Sequence, residues 1–178
     1  MQTDIVLTLT GHDRVGIVET VTKLLVQRGG NVQSSRMARL GGEFAMLMLV
    51  SLPETAFAGL EQDFQALRAE GYHILLLPTE DKHAETYKGW LPYQIEVLGA
   101  DHEGIIHEIA RHLAAQGINI ETLDTSVTRA PMSGTPLFSM QAVVLVPPHI
   151  PFSQWGATLE ELGDRLNVNI GVGLVKGQ

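Results

Sequence analysis

The chain has 178 residues, of which 44% are hydrophobic and 18% charged, with a formal net charge of −8 and no cysteine. The acidic balance argues against a nucleic-acid surface, which needs clustered Lys and Arg, and the lack of cysteine excludes a disulfide scaffold and a thiolate metal site. No apolar run approaches the roughly eighteen residues of a membrane span, and the N-terminus does not read as a secretory leader. We therefore expect a soluble, cytoplasmic protein.

The first half of the chain predicts the element order β, α, β, β, α, β. The first helix is amphipathic and is stopped by Gly29 and Gly30, and Gly41 and Gly42 supply a tight hairpin turn. The second helix is expected to start near Glu54 and carries Phe57 and later apolar residues at helical spacing. The strands are expected at about 4–10, 31–40, 44–52 and 73–77, and the helices at about 14–28 and from about 54 to 70.

The second half repeats this order after a charged stretch at 79–91, which we interpret as a linker. This division predicts a first domain at 1–78 and a second at 92–178. The second hairpin differs from the first, because a loop at 130–136 replaces the two glycines. The strands are expected at about 92–98, 118–128, 138–146 and 167–174, and the helices at about 102–116 and 153–166.

Seven residues of the first half recur in the second at one constant offset of 88, which is the signature of an internal repeat. Two βαββαβ copies predict an α+β fold of two ferredoxin-like domains, each an antiparallel sheet with both helices on one face. The first set is Gly11, Asp13, Gly16, Ile17, Leu25, Gly29 and Asn31, and the second is Gly99, Asp101, Gly104, Ile105, Leu113, Gly117 and Asn119.

The third strand of each copy predicts a different outer sheet face. In the first copy, strand 44–52 is apolar at both alternating sets of positions, so the face without helices is also apolar. In the second copy, Ser139 and Gln141 make the outer face more polar. We expect the first copy's open face to pack on a partner, such as another subunit. The alternative is that other segments of the same chain cover it.

The repeated loop between the first strand and first helix carries the chemistry that points to a ligand. Gly16 is placed early in the expected helix, where glycine is unfavourable, so its use suggests close approach of a ligand to the backbone. The first-turn amides can receive a carboxylate, and Asp13 with Asn31, expected beside the loop, can receive an ammonium group. The alternative is that Asp13 caps the helix, the glycines permit tight packing and Asn31 serves a turn.

These residues resemble the ACT domain, a small regulatory module that commonly binds amino acids at interfaces between copies. The resemblance covers both halves, and the segments at 10–18 and 34–44 resemble the tandem-ACT regulators of the glycine cleavage system. It implies ligand contacts in both loops and at the asparagines that open the next strands, with differences between the copies because Ala100 and His102 replace His12 and Arg14. The implied ligand-binding residues are Gly11, His12, Asp13, Gly16, Asn31, Gly99, Asp101, Gly104 and Asn119.

The resemblance implies a non-enzymatic regulator that binds a small amino acid, with glycine or serine plausible, and acts through a protein partner such as a transcription activator. It also implies a homo-oligomer without direct contact to nucleic acid or membrane. No nucleophile elbow or phosphate-binding loop is present, and no catalytic residue, metal site or cofactor is expected. Two alternatives stay open, namely a ligand-free ACT interaction module and a regulatory subunit of an amino-acid or folate metabolic enzyme.

Overall fold

The computed structural model describes residues 1–80 and 83–175, and the chain forms two compact units, Met1–Asp81 and Lys82–Gln178. The first unit contains four strands, and its first helix lies between the first two of them. A short 3₁₀ turn, Glu54–Ala56, precedes the other two helices. The elements are β1 (Gln2–His12), α1 (Ile17–Gln27), β2 (Asn31–Leu40), β3 (Glu43–Pro53), α2 (Phe57–Asp63), α3 (Gln65–Ala69) and β4 (His73–Thr79).

The four strands of the first unit form an antiparallel sheet in the order β2-β3-β1-β4. The register places Gly11 opposite Phe44, and Leu7 opposite both Met48 and Leu76. Alternate residues of each strand point toward the helices, so one strand face is buried and the other is not. The buried cluster includes Ile5, Leu7, Leu9, Val21, Leu25, Met46, Met48, Val50, Leu60, Phe64 and Leu76.

The second unit repeats the architecture with the sheet order β6-β7-β5-β8. As in the first unit, one helix connects the first two strands, but a single helix of 15 residues precedes the last strand here. A four-residue helix, α4 (His83–Thr86), comes before them. The other elements are β5 (Leu91–Ala100), α5 (Ile105–Ala115), β6 (Asn119–Arg129), β7 (Pro136–Val146), α6 (Phe152–Leu166) and β8 (Val168–Leu174).

The predicted fold class, two ferredoxin-like βαββαβ domains, is confirmed by both sheets. Trp155 is fully buried in the second core, where its ring packs edge-on against Tyr93 at 5.1 Å and against Phe152 at 5.4 Å between centroids. Aromatic rings in such edge-to-face pairs add about 0.5–1.5 kcal/mol beyond their buried area. The two units thus have separate cores of similar design.

Two details of the helices differ from the sequence prediction. The first helix of each unit begins three residues later than expected, at Ile17 and Ile105. The expected second helix of the first unit is interrupted, since Phe64 separates α2 from α3. Helical spacing of the apolar residues does not report such breaks, because both segments keep Leu60 and Leu67 on the buried side.

The outer faces of the two sheets differ as the third strands predict. On the first unit Leu47 of β3 and Leu75 and Leu77 of β4 are each about half exposed. They lie on the two strands that flank β1, where Thr8 pairs with both Leu47 and Leu75. We call this surface, with the half-buried Val6 and Leu49, the open apolar face. On the second unit the positions equivalent to Thr8, Leu47 and Leu75 carry Glu96, Gln141 and Gly171.

Among the described residues, no helix combines the length and the apolar character that crossing a membrane requires.

Candidate functional site

The candidate site of the first unit is the loop 11–16, where β1 ends and α1 begins. The residue at the N-cap of α1 is Gly16, and no side chain donates or accepts a capping hydrogen bond there. Asp13 lies three residues before that cap and therefore does not cap the helix. The sequence prediction of an Asp13 cap is wrong, because the helix starts later than its apolar spacing indicates.

The conformation of Gly16 explains why glycine occupies this position. Its φ is 88°, and the equivalent Gly104 has a φ of 92°, a region that side chains with a Cβ atom disfavour. A Cβ atom at either position would meet nothing within 4 Å. Backbone conformation, and not helix propensity, therefore accounts for Gly16 and Gly104, since neither glycine lies inside the helix.

Close packing explains the first glycine of each loop. A Cβ atom on Gly11 would lie 2.5 Å from Cδ1 of the Tyr72 ring, and one on Gly99 would lie 2.7 Å from Cγ1 of Val168. Both neighbours stand immediately before or at the start of the last strand. Gly11 and Gly99 therefore let the end of the first strand lie against the last strand, whether or not a ligand binds.

The polar side chains of the first loop are engaged with neighbours in the same unit. The Asp13 carboxylate lies 3.7 Å from Nε of Arg39 on β2, and Nδ1 of His12 lies 2.9 Å from Glu43 on β3. Exposed pairs of this kind contribute little stability, typically up to about 1 kcal/mol. Asp13 and Arg39 thus offer one negative and one positive group side by side, which is the charge pattern a zwitterion needs.

Asn31 does not lie beside this loop. Gly11 pairs with Phe44, whereas Asn31 pairs with Ser51, seven positions farther along β3. At about 3.3 Å per residue, this separation is roughly 23 Å. The expectation that Asn31 lies beside the loop of its own domain is wrong, since the helix carries the chain back to the opposite end of the sheet.

Asn119 occupies the corresponding remote position in the second unit. It pairs with Leu145, while Gly99 pairs with Phe138, again seven positions away along β7. The Nδ2 group of Asn119 donates to the Glu121 carboxylate at 2.7 Å. A ligand within one domain could touch the loop or the asparagine, and only a second domain could bring the two together.

The second loop has different electrostatics. No ion pair reaches the Asp101 carboxylate from the part of the chain that the structure describes, and Val127 stands where β2 has Arg39. The adjacent His102 has its pKa raised, because its ring hydrogen-bonds to the backbone carbonyls of Leu166 and Glu103 and lies near the Asp101 charge, effects that outweigh partial burial. The two loops are therefore equivalent in backbone but not in charge.

Sequence reasoning missed the residues that fix the first loop. The Tyr72 hydroxyl donates to the backbone carbonyl of His12 at 3.0 Å, and Nε of Arg14 donates to the same hydroxyl at 3.0 Å. Repeat matching could not find Tyr72, because its counterpart Val168 is aliphatic. A shallow cleft of about 230 Å³ lies here, lined by His12, Asp13, Arg14, Glu70, Gly71 and Tyr72.

Metal chemistry gains no support from the side-chain arrangement. Within residues 1–80 and 83–175, no group of three or more His, Asp or Glu side chains is arranged to hold a metal ion. One helical histidine, His112, has a partner of its own: its Nε2 lies 3.2 Å from the Thr158 hydroxyl. Burial lowers the pKa of His112, and the nearby Arg165 and Arg111 charges add to the effect.

Comparison with known proteins agrees with this architecture. A sequence model of the ACT domain matches residues 3–71. The glycine cleavage system transcriptional repressors of Escherichia coli K12 and Shigella flexneri are each 27% identical over 158 residues, covering 88% of this chain and 80% of theirs.

Solved structures extend the likeness to the whole chain. An unknown protein from Galdieria sulphuraria is 31% identical, with a TM-score of 0.83, and the alignment covers 99% of this chain and 100% of that one. A protein provisionally described as a glycine cleavage system transcriptional repressor is 22% identical, with a TM-score of 0.69 and 99% coverage of both chains. The second likeness is one of fold.

Proposed function

We propose that this chain, a tandem ACT-domain protein, is a non-enzymatic regulator that senses a small amino acid and passes its occupancy to a protein partner. The observation that carries the proposal is the 27% identity to the Escherichia coli glycine cleavage system transcriptional repressor over 88% of the chain. Glycine is the first ligand to test on this basis, and serine the second, since it adds only a hydroxymethyl group. A cytoplasmic location belongs to the proposal, and the absence of cysteine suits it.

The charges of the first loop support an amino acid as its ligand. Asp13 can receive the ammonium group, and the Arg39 guanidinium, now 3.7 Å from that carboxylate, can receive the ligand carboxylate. The pair is exposed, so exchanging its internal contact for a ligand has a small cost. The proposed residues of this site are Gly11, His12, Asp13 and Gly16, with Arg39 added from the structure.

The second loop is proposed as a weaker or different site. Asp101 can receive an ammonium group, but Val127 at the position of Arg39 supplies no cation for the carboxylate. Only the loop amides near Gly104, at the positive end of the helix dipole, offer that contact. We therefore expect tighter binding at the first loop than at Gly99, Asp101 and Gly104.

The remote asparagines fit a site that is shared between copies of the chain. When two domains associate antiparallel about a two-fold axis, the loop end of one sheet meets the opposite end of the other. Asn31 of one copy then lies near Asp13 of its partner, although roughly 23 Å separates these ends within one sheet. A ligand bound between the copies then stabilises the associated state, to the extent that it binds this state more tightly than the other. Asn119 has the same potential in the second unit.

The open apolar face supports a protein partner or a second subunit. Three leucines on this face, Leu47, Leu75 and Leu77, are each about half exposed. A contiguous apolar patch of this kind marks a surface that binds another protein. The net charge of −8 disfavours direct binding to nucleic acid, so control of transcription would pass through another protein such as an activator. The proposal thus includes a homo-oligomer that contacts this partner.

One alternative has a specific observation in its favour. Because Asp13 and His12 already have partners within the first unit, the loop could be satisfied without a ligand, and the chain would be a ligand-free interaction module. A screen of thermal stability against the twenty amino acids distinguishes the two, since a ligand that binds only the folded state raises its stability by mass action. A shift with glycine or serine that Asp13→Ala abolishes supports the sensor. No shift with any of the twenty contradicts it.

A further inference from the structure

The two repeats place different side chains at one equivalent position of the loop, and both reach the same part of their own domain. Nε of Arg14 donates to the hydroxyl of Tyr72, which lies just before β4. Nε2 of His102 lies 2.7 Å from the carbonyl oxygen of Leu166, the last residue of α6, just before β8. Each loop is thus tied to the segment that joins the last helix to the last strand.

The tie in the first unit uses a permanently charged group. Besides the 3.0 Å bond to Tyr72, Nη2 of Arg14 donates to Glu70 at 3.1 Å, and the guanidinium carbon lies 5.7 Å from the centre of the Tyr72 ring. Tyr72 in turn donates to the carbonyl of His12. Since a guanidinium stays protonated across the accessible pH range, this tie does not depend on pH.

The tie in the second unit depends on a proton. Both ring nitrogens of His102 face carbonyl oxygens, because Nδ1 lies 3.1 Å from the carbonyl of Glu103 while Nε2 faces Leu166. Carbonyl oxygens only accept, and a neutral imidazole carries one N–H, so both bonds form together only in the imidazolium state.

The charged surroundings of the His102 ring come from two elements. Its own loop carries the carboxylates of Asp101 and Glu103, and α6 carries Asp164 and Arg165 just before Leu166. The two carbonyl bonds come first among the causes of the raised pKa of His102, and the Asp101 charge adds to them. The surroundings therefore favour the protonated ring.

We propose that His102 is a protonation-dependent positioning residue for the second loop, whereas Arg14 positions the first loop at any pH. A group whose pKa is raised on folding contributes its stabilisation fully below the unfolded value, about 6.5 for histidine, and loses it as pH rises through the folded value. The His102 tie of the second loop therefore weakens toward alkaline pH, and the Arg14–Tyr72 tie of the first loop does not. The inference rests on the proposed function only for its consequence, a pH-tuned second ligand site.

Hydrogen exchange of the whole chain, followed by mass spectrometry, tests the proposal without a ligand. After correction for intrinsic exchange rates, protection of the peptide covering 99–104 should fall by about threefold to tenfold between about pH 5.5 and pH 8.5, the range expected for losing one hydrogen bond. Because His12 in the first loop pairs with Glu43 at 2.9 Å, the comparison is made in His12→Gln, in which protection of 11–16 should not change. Equal pH dependence in the two loops, or none in the second, would overturn the proposal.

Exchanging the two residues gives a matched control within one molecule. His102→Arg should make the second loop insensitive to pH, and Arg14→His should transfer pH sensitivity to the first loop, if each variant keeps a cooperative unfolding transition. An NMR titration of His102 in the unmodified protein keeps the test independent of folding: a pKa at or below the ordinary histidine value would overturn the proposal.

Glycine is the probe for the expected pH dependence of the second ligand site. If glycine binds, calorimetry should show its affinity at the second loop weakening with rising pH in the unmodified protein and not in His102→Arg. Unaltered pH dependence in that variant contradicts the positioning role. If glycine and the other amino acids do not bind, the proposed function fails, while the exchange experiment still decides whether His102 holds the loop.

Discussion

The hydroxyl of Tyr72 accepts a hydrogen bond from Nε of Arg14 and donates one to the carbonyl of His12, both at 3.0 Å. The residue is 6% exposed, so this hydroxyl sits where the core of the first domain meets the candidate ligand loop. One oxygen atom therefore couples the loop to the body of the domain.

Tyr72→Phe should lower the free energy of unfolding by about 1–2 kcal/mol, because it removes one donor and leaves Arg14 and the His12 carbonyl without this partner. Urea unfolding followed by circular dichroism measures the change. Tyr93→Phe is the matched control, since the structure assigns no hydrogen bond to that hydroxyl within the described residues, and it should change stability much less.

Gly11→Ala should destabilise the first domain by about 1–3 kcal/mol, because its Cβ atom would come within 2.5 Å of the buried Tyr72 ring. Gly42→Ala provides the comparison: a Cβ atom there meets nothing within 4 Å, and the residue has no positive φ. Thermal unfolding of both variants measures the difference. Equal stability of the two would contradict the packing explanation for the first glycine of the loop.

The ion pair between Arg28 and Asp63 should contribute to the free energy of unfolding at neutral pH and lose that contribution in acid. The guanidinium donates to both carboxylate oxygens, at 2.6 and 2.8 Å, and these hydrogen bonds, together with the Arg28 charge, lower the pKa of Asp63 despite its partial desolvation. A carboxylate whose pKa is lowered on folding stabilises the protein above its unfolded value, about 3.9, and loses that contribution as pH falls through the folded value.

In Asp63→Asn the free energy of unfolding should therefore fall less steeply below about pH 4 than in the unmodified protein. Urea midpoints measured at intervals between about pH 5 and pH 2.5 test this expectation. Glu54→Gln serves as the control, since its carboxylate makes no ion pair within residues 1–80 and 83–175, and its acid limb should match that of the unmodified protein. A profile for Asp63→Asn as steep as the control would show that the pair does not govern acid sensitivity.

The open apolar face should govern self-association or partner binding. Leu47→Lys places a charge among Leu75, Leu77 and Leu49 on that face, and we expect a smaller mass by light scattering than for the unmodified protein. Gln141→Lys changes the equivalent position of the second sheet and should leave the mass unchanged. A protein that is strictly monomeric before any substitution, with this face exposed to solvent, would contradict the expectation.

The alternation of apolar residues and the internal repeat were sufficient to predict both sheets, and in the second sheet they also showed which face is outside. This prediction succeeds because a half-buried strand has apolar residues at every second position, and a half-buried helix has them every three to four positions. The start of the first helix was not predictable in the same way. Ile17 and later apolar residues show its period, but the positive φ of Gly16 that delays its start leaves no periodic signal.

The candidate site was predicted only in part, because its geometry depends on contacts between distant segments. The loop glycines were correctly singled out as unusual, yet the reasons are the φ of Gly16 and the ring of Tyr72 against Gly11. Asn31 was assigned to the wrong end of the sheet, since the repeat spacing does not encode register. Arg39 was missed because no counterpart in the second copy marks it.

Isothermal titration of the unmodified protein with glycine and with serine shows whether the first loop binds an amino acid. We expect saturable binding of at least one of them, with the tighter site lost in Asp13→Asn and weakened in Arg39→Gln while Asp101→Asn retains it. No heat of binding for either amino acid, or binding that Asp13→Asn and Arg39→Gln leave unchanged, would contradict the assignment of the first loop as an amino-acid sensor.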